Sequence, residues 1–587
     1  MAVTESSRAR RRWLAPGTGP FSTARGMLPL LAVCAFLFAY PIVMLVVGAF
    51  RNTDPSLPAE WGLRGFTAYT DPATHQALLN SIVLAGSTTL IATAAALVAA
   101  FLVTRTRTLG RGLVTPAMAL VVALPPLFYA ISWGMFGNAR IGLLNTTFRD
   151  LTGSGATLFD VNSWAGLILV ISLKATAFSY LLLLGPFMAL DRSFEEASQI
   201  AGAGRLRTLL RIDLPVLAPA VTGVLILNFV IGLEFFDVPL FLGTPAGITV
   251  FSTQIYGLIK DQTPAEYGGA SALSLLLIVV VVVLVAAQWR VLGKRQFTTV
   301  SGKGYRSDPW DIGAWRWAGT AFIAAFVLLA LVLPLAQLVI GSLQPFFGAP
   351  IFGDTSGGFS LVHYASLLSD DETLAALRTT LIVSVVGGVL AMALALLISY
   401  AATHSTSRLR RIVELLTWLP WAVPGVVLSL AIVWAYVSTP GLRQLYATIW
   451  IVMLGLVVAA MPIASRSAQA AIGQLGRELE EASRVSGARP IRMFLDVVLP
   501  LILPSFLSGW FLVAIVISGN LAVPILLTSQ DNVTVPIVVF ELYTQGETAQ
   551  AAALFVIVLT ALAAGLTVLT LAGRLLVRGQ SRRRAAT

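Results

Sequence analysis

Charged residues are scarce in this chain of 587 residues. Only 11% of its residues are charged and 57% are hydrophobic, whereas soluble proteins carry about 25% charged residues. This scarcity excludes a soluble globular protein. It also excludes a nucleic-acid partner as the reason for the formal net charge of +11, because the loops of membrane proteins collect Lys and Arg on the cytoplasmic side. The composition therefore predicts a membrane protein with several spans, in contact with lipid.

Metal-binding and nucleotide-binding residues are also few. The chain has one cysteine, Cys34, and three histidines far apart, His75, His363 and His404, so neither a disulfide framework nor a metal site is expected. The stretch "SGKG" at 301–304 lacks the spacing of a phosphate-binding loop. We therefore expect no cofactor, no ATPase site and no enzymatic activity in this chain.

Twelve apolar stretches are long enough to cross a bilayer whose hydrocarbon core is about 30 Å thick. Their length and composition predict an all-α polytopic membrane protein. Prolines and a glycine interrupt helical hydrogen bonding inside the third and ninth stretches, at Pro125, Pro126, Pro420, Pro424 and Gly425. They either free backbone groups at the translocation path or form ordinary proline kinks. The predicted spans are 27–49, 79–103, 113–136, 162–190, 214–237, 271–289, 317–342, 376–402, 412–438, 446–465, 500–528 and 550–573.

The basic residues are distributed unevenly between the two sides of these spans. Of the 39 Lys and Arg, 31 fall in the two terminal tails and in the loops that follow even-numbered spans. Because such residues concentrate on the cytoplasmic side, we predict that both termini are cytoplasmic.

One polar segment occurs twice. Residues 195–215 read "EEASQIAGAGRLRTLLRIDLP" and residues 480–500 read "EEASRVSGARPIRMFLDVVLP", an offset of 285 that also relates "VPLFLG" at 238–243 to "VPILLT" at 523–528. The chain therefore consists of two parallel six-span halves, and a repeat of this kind places a translocation path between them. The predicted division is a tail 1–26, a first half 27–289, a linker 290–316, a second half 317–573 and a tail 574–587.

Each repeated loop, 191–215 and 476–500, is predicted to be a helix–turn–helix on the cytoplasmic face. Acidic residues open the first helix, where they favour the positive end of its dipole, and glycine breaks it. The Leu-Pro pair is predicted to end the loop, with proline in the first turn of the next span. These positions are Glu195, Glu196, Gly202, Leu214 and Pro215, and in the second copy Glu480, Glu481, Gly487, Leu499 and Pro500.

The pattern Glu196-Ala197-Ser198…Gly202…Leu214-Pro215 resembles the "EAA loop" of permease subunits in binding-protein-dependent ABC importers. The second copy, Glu481-Ala482-Ser483…Gly487…Leu499-Pro500, matches equally, and Ser replaces the usual second Ala in both. The resemblance implies the type I ABC importer permease fold in a bacterial inner membrane.

The same resemblance implies partners. The loops would dock into two copies of an ABC ATPase subunit that bind ATP and Mg, and a separate periplasmic or lipid-anchored substrate-binding protein would deliver the solute. One alternative is a pair of amphipathic helices at the lipid surface, which leaves the shared Glu-to-Pro spacing of 19 residues unexplained. Another is a secondary transporter of the major facilitator type, which gives no reason for paired Glu-Ala-Ser loops.

Two-half permeases with this loop resemble ferric-iron importers most, with relatives for thiamine, 2-aminoethylphosphonate and polyamines. The stretch "NFVIGLEFFDVPLFLG" at 228–243 looks like the ferric type. Ionisable or polar residues in spans are costly and mark candidate path positions, here Lys174, Glu234, Asp237 and Asn520. Carboxylates suit Fe³⁺, whereas Lys174 would suit an anionic phosphonate; a structural Lys–carboxylate pair stays open.

Overall fold

The computed structural model describes residues 23–190, 193–292, 310–348, 358–475, 479, 482–483, 486 and 490–585. Over these ranges the secondary structure is helical, with isolated bridges but no β-strand. The helices of the first half are α1 (Ala24–Ala49), α2 (Pro72–Arg105), α3 (Arg111–Ala123), α4 (Pro126–Gly137), α5 (Leu143–Thr152), α6 (Trp164–Ala189), α7 (Ser193–Ile200), α8 (Leu209–Glu234), α9 (Phe251–Lys260) and α10 (Tyr267–Leu292).

The second half repeats the order of the long helices but not that of every short one. Its helices are α11 (Trp315–Leu343), α12 (Val362–Ser369), α13 (Asp371–His404), α14 (Leu409–Ala422), α15 (Gly425–Val437), α16 (Ile449–Gly473), α17 (Phe494–Ser518), α18 (Val535–Thr544) and α19 (Thr548–Ala585).

Ten helices of the described chain are long and apolar enough to cross a membrane, and two bent pairs bring the number of spans to as many as twelve. The pair α3 and α4 bends by 99°, and the pair α14 and α15 by 114°. Both bends lie at the predicted prolines, because proline lacks the N–H that would continue the helix. The predicted all-α fold with about twelve spans in two halves is confirmed.

Regular α-helix starts at each Leu-Pro pair, with proline in its first turn as predicted, in Leu214–Glu234 and Leu499–Ser518. The chain is already helical before each pair, however. The helical turn Arg205–Thr208 continues without interruption into α8, so Pro215 lies inside a helix. A wide π-helical turn, Leu209–Asp213, comes directly before the Leu-Pro pair, and the Leu214 N–H bonds to the Leu209 carbonyl five residues back. This wider turn accommodates the proline ring and its missing donor without ending the helix.

The second copy does the same. Its π-helical turn is Phe494–Val498, and the Leu499 N–H bonds to the Phe494 carbonyl. The same wide turn precedes Pro41 in α1 and Pro334 in α11. The proline of each repeated loop therefore lies within a continuous helix that joins the loop to a span.

The first span of each half packs against the opposite half. Helix α1 lies along α15, and α11 lies along α4. At the first crossing, the Trp434 Nε1–H donates to Ser271 Oγ at 2.8 Å, and the Arg51 guanidinium lies 5.1 Å from the centre of the Trp434 ring. The two halves are thus joined by exchanged first spans as well as by a shared interface.

Glycine makes both crossings possible. A Cβ at Gly48 would lie 2.3 Å from Trp434 Cε2, and one at Gly341 would lie 2.1 Å from Met135 Cε. Close backbone approach at small residues is how helices pack within a membrane. Because the indole of Trp434 is rigid, the crossing at Gly48 has less room to adjust than the one at Gly341.

We therefore expect Gly48→Ala to destabilise the protein by about 1–3 kcal/mol through overpacking. Gly86→Ala in α2 is the matched control, because nothing lies within 4 Å of a Cβ at that position. Alanine there should be neutral or mildly stabilising. Thermal unfolding of the purified protein in detergent measures the difference; equal midpoints for the two variants would contradict the tight crossing.

Candidate functional site: the repeated loops and the broken spans

The first repeated loop folds back against the start of the next span. Helix α7 is followed by a turn in which Gly202 has a φ of +80°, a conformation that favours glycine. The Ser198 hydroxyl then hydrogen-bonds the Thr208 hydroxyl at 2.9 Å, and both side chains are buried. Helix α7 and the beginning of α8 therefore form one folded unit.

The two glutamates of this loop face different surroundings. Glu195 is only 1% exposed, and its Oε1 lies 3.2 Å from Arg105 Nε at the end of α2. Glu196 and Ala197 are exposed. Neighbouring residues on a helix point about 100° apart, so the local sequence could not distinguish their roles. Coupling to an ATPase stays a prediction for both.

The outward side of the loop carries large apolar side chains. Phe194 is 54% exposed, Ile200 88% and Leu210 54%. In the second copy Leu479 and Leu495, which stand 285 residues after Phe194 and Leu210, are also exposed. Exposed apolar residues beside charged ones are typical of a surface that another molecule covers.

The remaining predicted loop residues are placed as follows. Leu214 and Leu499 are half-buried, and Pro215 and Pro500 are exposed. In the second copy Ala482 is exposed and Ser483 half-buried. Glu480, Glu481 and Gly487 lie outside the described residues, and their predicted roles stay predictions.

In the sequence, nothing distinguishes Arg105 from the other basic residues of the loops. Its side chain is 3% exposed, and its Nη2 donates to the carbonyls of Phe187 and Leu190 at 2.8 and 2.9 Å. The available signal was its position, because it is the last residue of a 34-residue, largely apolar helix.

Lys174 lies at the bend between α3 and α4. Its Nζ donates to the carbonyls of Val121 and Val122 at 3.1 and 3.3 Å, and also to that of Leu124. These carbonyls lie at the C-terminal end of α3, where no helical N–H remains to bond them. The ammonium group therefore caps a helix that ends inside the membrane.

Glu234 and Asp237 lie where α8 ends. Both are half-buried, and one oxygen of each carboxylate, Glu234 Oε1 and Asp237 Oδ1, is buried without a hydrogen-bond partner among the described residues. Asp237 is near enough to Lys174 to interact electrostatically, without closing a direct ion pair. Among the described residues no three His, Cys, Asp or Glu side chains are grouped as a metal site would need.

The second half has no carboxylates at the equivalent positions, and packing explains why. Gly519, opposite Glu234 in the repeat, lies so close to Pro125 of the first half that a Cβ would be 2.1 Å from the proline Cγ. Ala522, opposite Asp237, lies against Gly425. Asn520 accepts a hydrogen bond from the Val523 N–H at 3.0 Å and so closes a turn. The carboxylates are therefore confined to one side of the interface.

The halves also meet at the side opposite the repeated loops. The Phe241 ring of the first half lies 5.3 Å from Phe540 and 4.8 Å from Tyr543 of the second. Nearby, burial and Glu372 raise the pKa of Glu541 above its usual range, and Lys260 of the first half opposes the rise. Aromatic contacts between the halves thus cover this end of the interface, with charged groups of both halves nearby.

Comparison with known proteins agrees with this architecture. The family described as the binding-protein-dependent transport system inner membrane component matches residues 91–297 and 387–582, one match in each half. A putative ferric transport system permease protein FbpB 1 of Haemophilus influenzae is 26% identical over 82% of this chain and 74% of its own length. The ferric transport system permease protein FbpB of Actinobacillus pleuropneumoniae is 27% identical over 82% and 68%.

Other similar proteins carry different names. A putative 2-aminoethylphosphonate transport system permease protein PhnV of Salmonella paratyphi A is 24% identical over 41% of this chain and 86% of its own. A solved bacterial ABC transporter involved in alginate import is 20% identical, with a TM-score of 0.40, over 50% of this chain and 99% of that one. Since the family model matches more than half of the chain, once in each half, the protein belongs to the inner membrane components of binding-protein-dependent transport systems.

Proposed function

We propose that the chain forms both membrane halves of an ATP-driven importer in a bacterial inner membrane, with both termini cytoplasmic. Two ABC ATPase subunits, which bind the ATP and Mg, dock on the repeated loops, and a periplasmic or lipid-anchored binding protein docks on the opposite side. The chain itself binds no cofactor and catalyses no reaction. Membership of the family favours this function over a secondary transporter of the major facilitator type.

The docking proposal rests mainly on the residues that α7 exposes on its outward surface. Glu196, Phe194 and Ile200 are exposed there, while Glu195 and Ser198 on the same helix are buried against the spans. A helix fixed on one side and apolar on the other suits a partner protein. A lipid surface would explain the apolar residues alone, but not a glutamate at the same motif position in both copies of the sequence.

Transmission from the loops follows from the continuous helices. Helix α7 contacts the turn Arg205–Thr208, and this turn runs without a break into α8. When the ATPase subunits close and bring the two loops together, the displacement reaches α8 and the interface between the halves. Helix α8 ends at Glu234, so the same helix connects the docking surface to the candidate path.

Ferric iron is the proposed cargo. The relatives named ferric transport permeases match both halves, and hard cations prefer the oxygen ligands that Glu234 and Asp237 offer. Thiamine, 2-aminoethylphosphonate and polyamines are the alternatives. Lys174, which would bind an anionic phosphonate, already donates to three carbonyls, and this weighs against a phosphonate.

Uptake into proteoliposomes that contain the chain, its ATPase and its binding protein tests the proposal. We expect ATP-dependent uptake of radiolabelled Fe³⁺, lowered at least about tenfold by Glu234→Gln with Asp237→Asn, equivalent to about 1.4 kcal/mol. The control Glu60→Gln, an exposed glutamate far along the chain from the path, should leave uptake unchanged. Uptake of phosphonate, thiamine or polyamine without Fe³⁺ would overturn the cargo assignment.

A further inference from the structure

We propose that Arg105 is a positioning residue that joins the first repeated loop to the membrane spans, so that the loop cannot move without them. The inference rests on the proposed coupling function. The proposal assigns a part in coupling to a residue on α2, a span that does not belong to the repeated motif.

Arg105 connects three helices through one side chain. It is the last residue of α2. Its Nη2 donates to the carbonyls of Phe187 and Leu190, at the end of α6, at 2.8 and 2.9 Å. Its Nε lies 3.2 Å from Glu195 Oε1 on α7. The planar guanidinium has several donors in fixed directions. It can therefore bind the end of one helix and the carboxylate of another at the same time.

The burial of this contact makes it costly to break. Arg105 and Glu195 are 3% and 1% exposed, and a buried charge without its partner is strongly unfavourable. Asp213, at the other end of the loop, is also buried and near enough to interact electrostatically with Arg105. Acidic groups from both ends of the loop thus interact with one guanidinium that belongs to α2.

Two positions of this cluster carry different residues in the second half. Helices α2 and α13 are both 34 residues long, and each begins after an aspartate cap, Asp71 or Asp370. The two caps are 299 residues apart, and the same offset places His404 at the position of Arg105. The offset of 285 places Val498 at the position of Asp213. An arginine at the end of α2 and an aspartate before the Leu-Pro pair are therefore particular to the first half.

The test uses the whole complex of chain, ATPase subunits and binding protein. Two quantities are measured, the amount of ATPase retained and the ratio of ATPase activity with binding protein to activity without it. We expect Glu195→Gln to lower this ratio about fivefold or more, within the usual range of coupling between sites, with ATPase retention unchanged. Glu195→Gln is informative because Arg105 still caps α6.

Two further variants complete the test. Arg105→Gln should lower the ratio as well, and the double variant should be no worse than the stronger single variant, because both remove one interaction. Arg111→Gln is the matched control. This arginine, at the start of α3, donates to the carbonyl of Thr106, the residue that follows Arg105, at 2.8 Å. It should leave the ratio unchanged.

The outcomes separate the two proposals. An unchanged ratio in Glu195→Gln, with ATPase retained, overturns the role of Arg105 and leaves the proposed function intact. A lower ratio in Arg111→Gln would also overturn the role of Arg105, because loss of any positive charge near the end of α2 would then be enough to lower the ratio. Failure of the unmodified chain to retain any ATPase would overturn the proposed function itself.

Discussion

The double variant Glu196→Lys and Glu481→Lys is expected to lose its ATPase subunits and, with them, ATP-dependent uptake. Glu196 is exposed beside the uncovered Phe194 and Ile200, so its charge meets any partner that covers this surface. Reversing a charge inside an interface typically costs about 2–5 kcal/mol. We expect the affinity for the ATPase to fall at least about a hundredfold, equivalent to about 2.8 kcal/mol, measured by co-purification and titration.

The control for charge reversal is Glu60→Lys with Glu547→Lys, one exposed glutamate from each half outside the repeated loops. This pair should retain the ATPase at the unmodified level. If Glu196→Lys with Glu481→Lys left both ATPase retention and uptake intact, the loops would not be the coupling surface. Contact with lipid headgroups would then be the better account of their exposed apolar residues.

Lys174→Met is expected to prevent normal folding rather than to change the cargo. The substitution removes the donor from the carbonyls of Val121, Val122 and Leu124. Each buried polar group left unsatisfied costs about 1–3 kcal/mol, so the loss is about 3 kcal/mol or more, and no water in the bilayer core can replace the donor. The yield of monodisperse protein and its thermal midpoint in detergent measure the effect.

A second variant separates capping from charge balance. If the cost came only from leaving Asp237 without a nearby positive charge, Lys174→Met with Asp237→Asn would restore the thermal midpoint. If the cost comes from the uncapped carbonyls, the double variant stays as unstable as Lys174→Met alone. A Lys174→Met protein that folded normally but had lost uptake would contradict the capping role. Lys174 would then be assigned to the translocation path.

The spans, the two halves and the broken third and ninth spans followed from the sequence because each depends on local properties. Hydropathy over about 20 residues sets where a helix crosses. Proline interrupts hydrogen bonding wherever it occurs, and both predicted breaks are present, bent by 99° and 114°. The repeat was visible because two copies at a constant offset need no knowledge of the fold.

The junction between each loop and its span shows where local rules stop. The Leu-Pro pair predicts proline in a first helical turn, and regular α-helix does start there. A wide turn one residue earlier admits proline into a continuous helix. The local rule does not say whether the chain before the proline is already helical, and the structure shows that it is.

The chemistry of individual side chains was decided by tertiary structure alone. The sequence determined that Glu195 and Glu196 lie on one polar loop, but only the position of Arg105 shows which of them is buried. It marked Lys174 as a charge within a span, while the carbonyls that Lys174 caps lie on another helix about 50 residues away. A buried charge takes its role from the group that compensates it, and that group is brought near by folding, not by proximity along the chain.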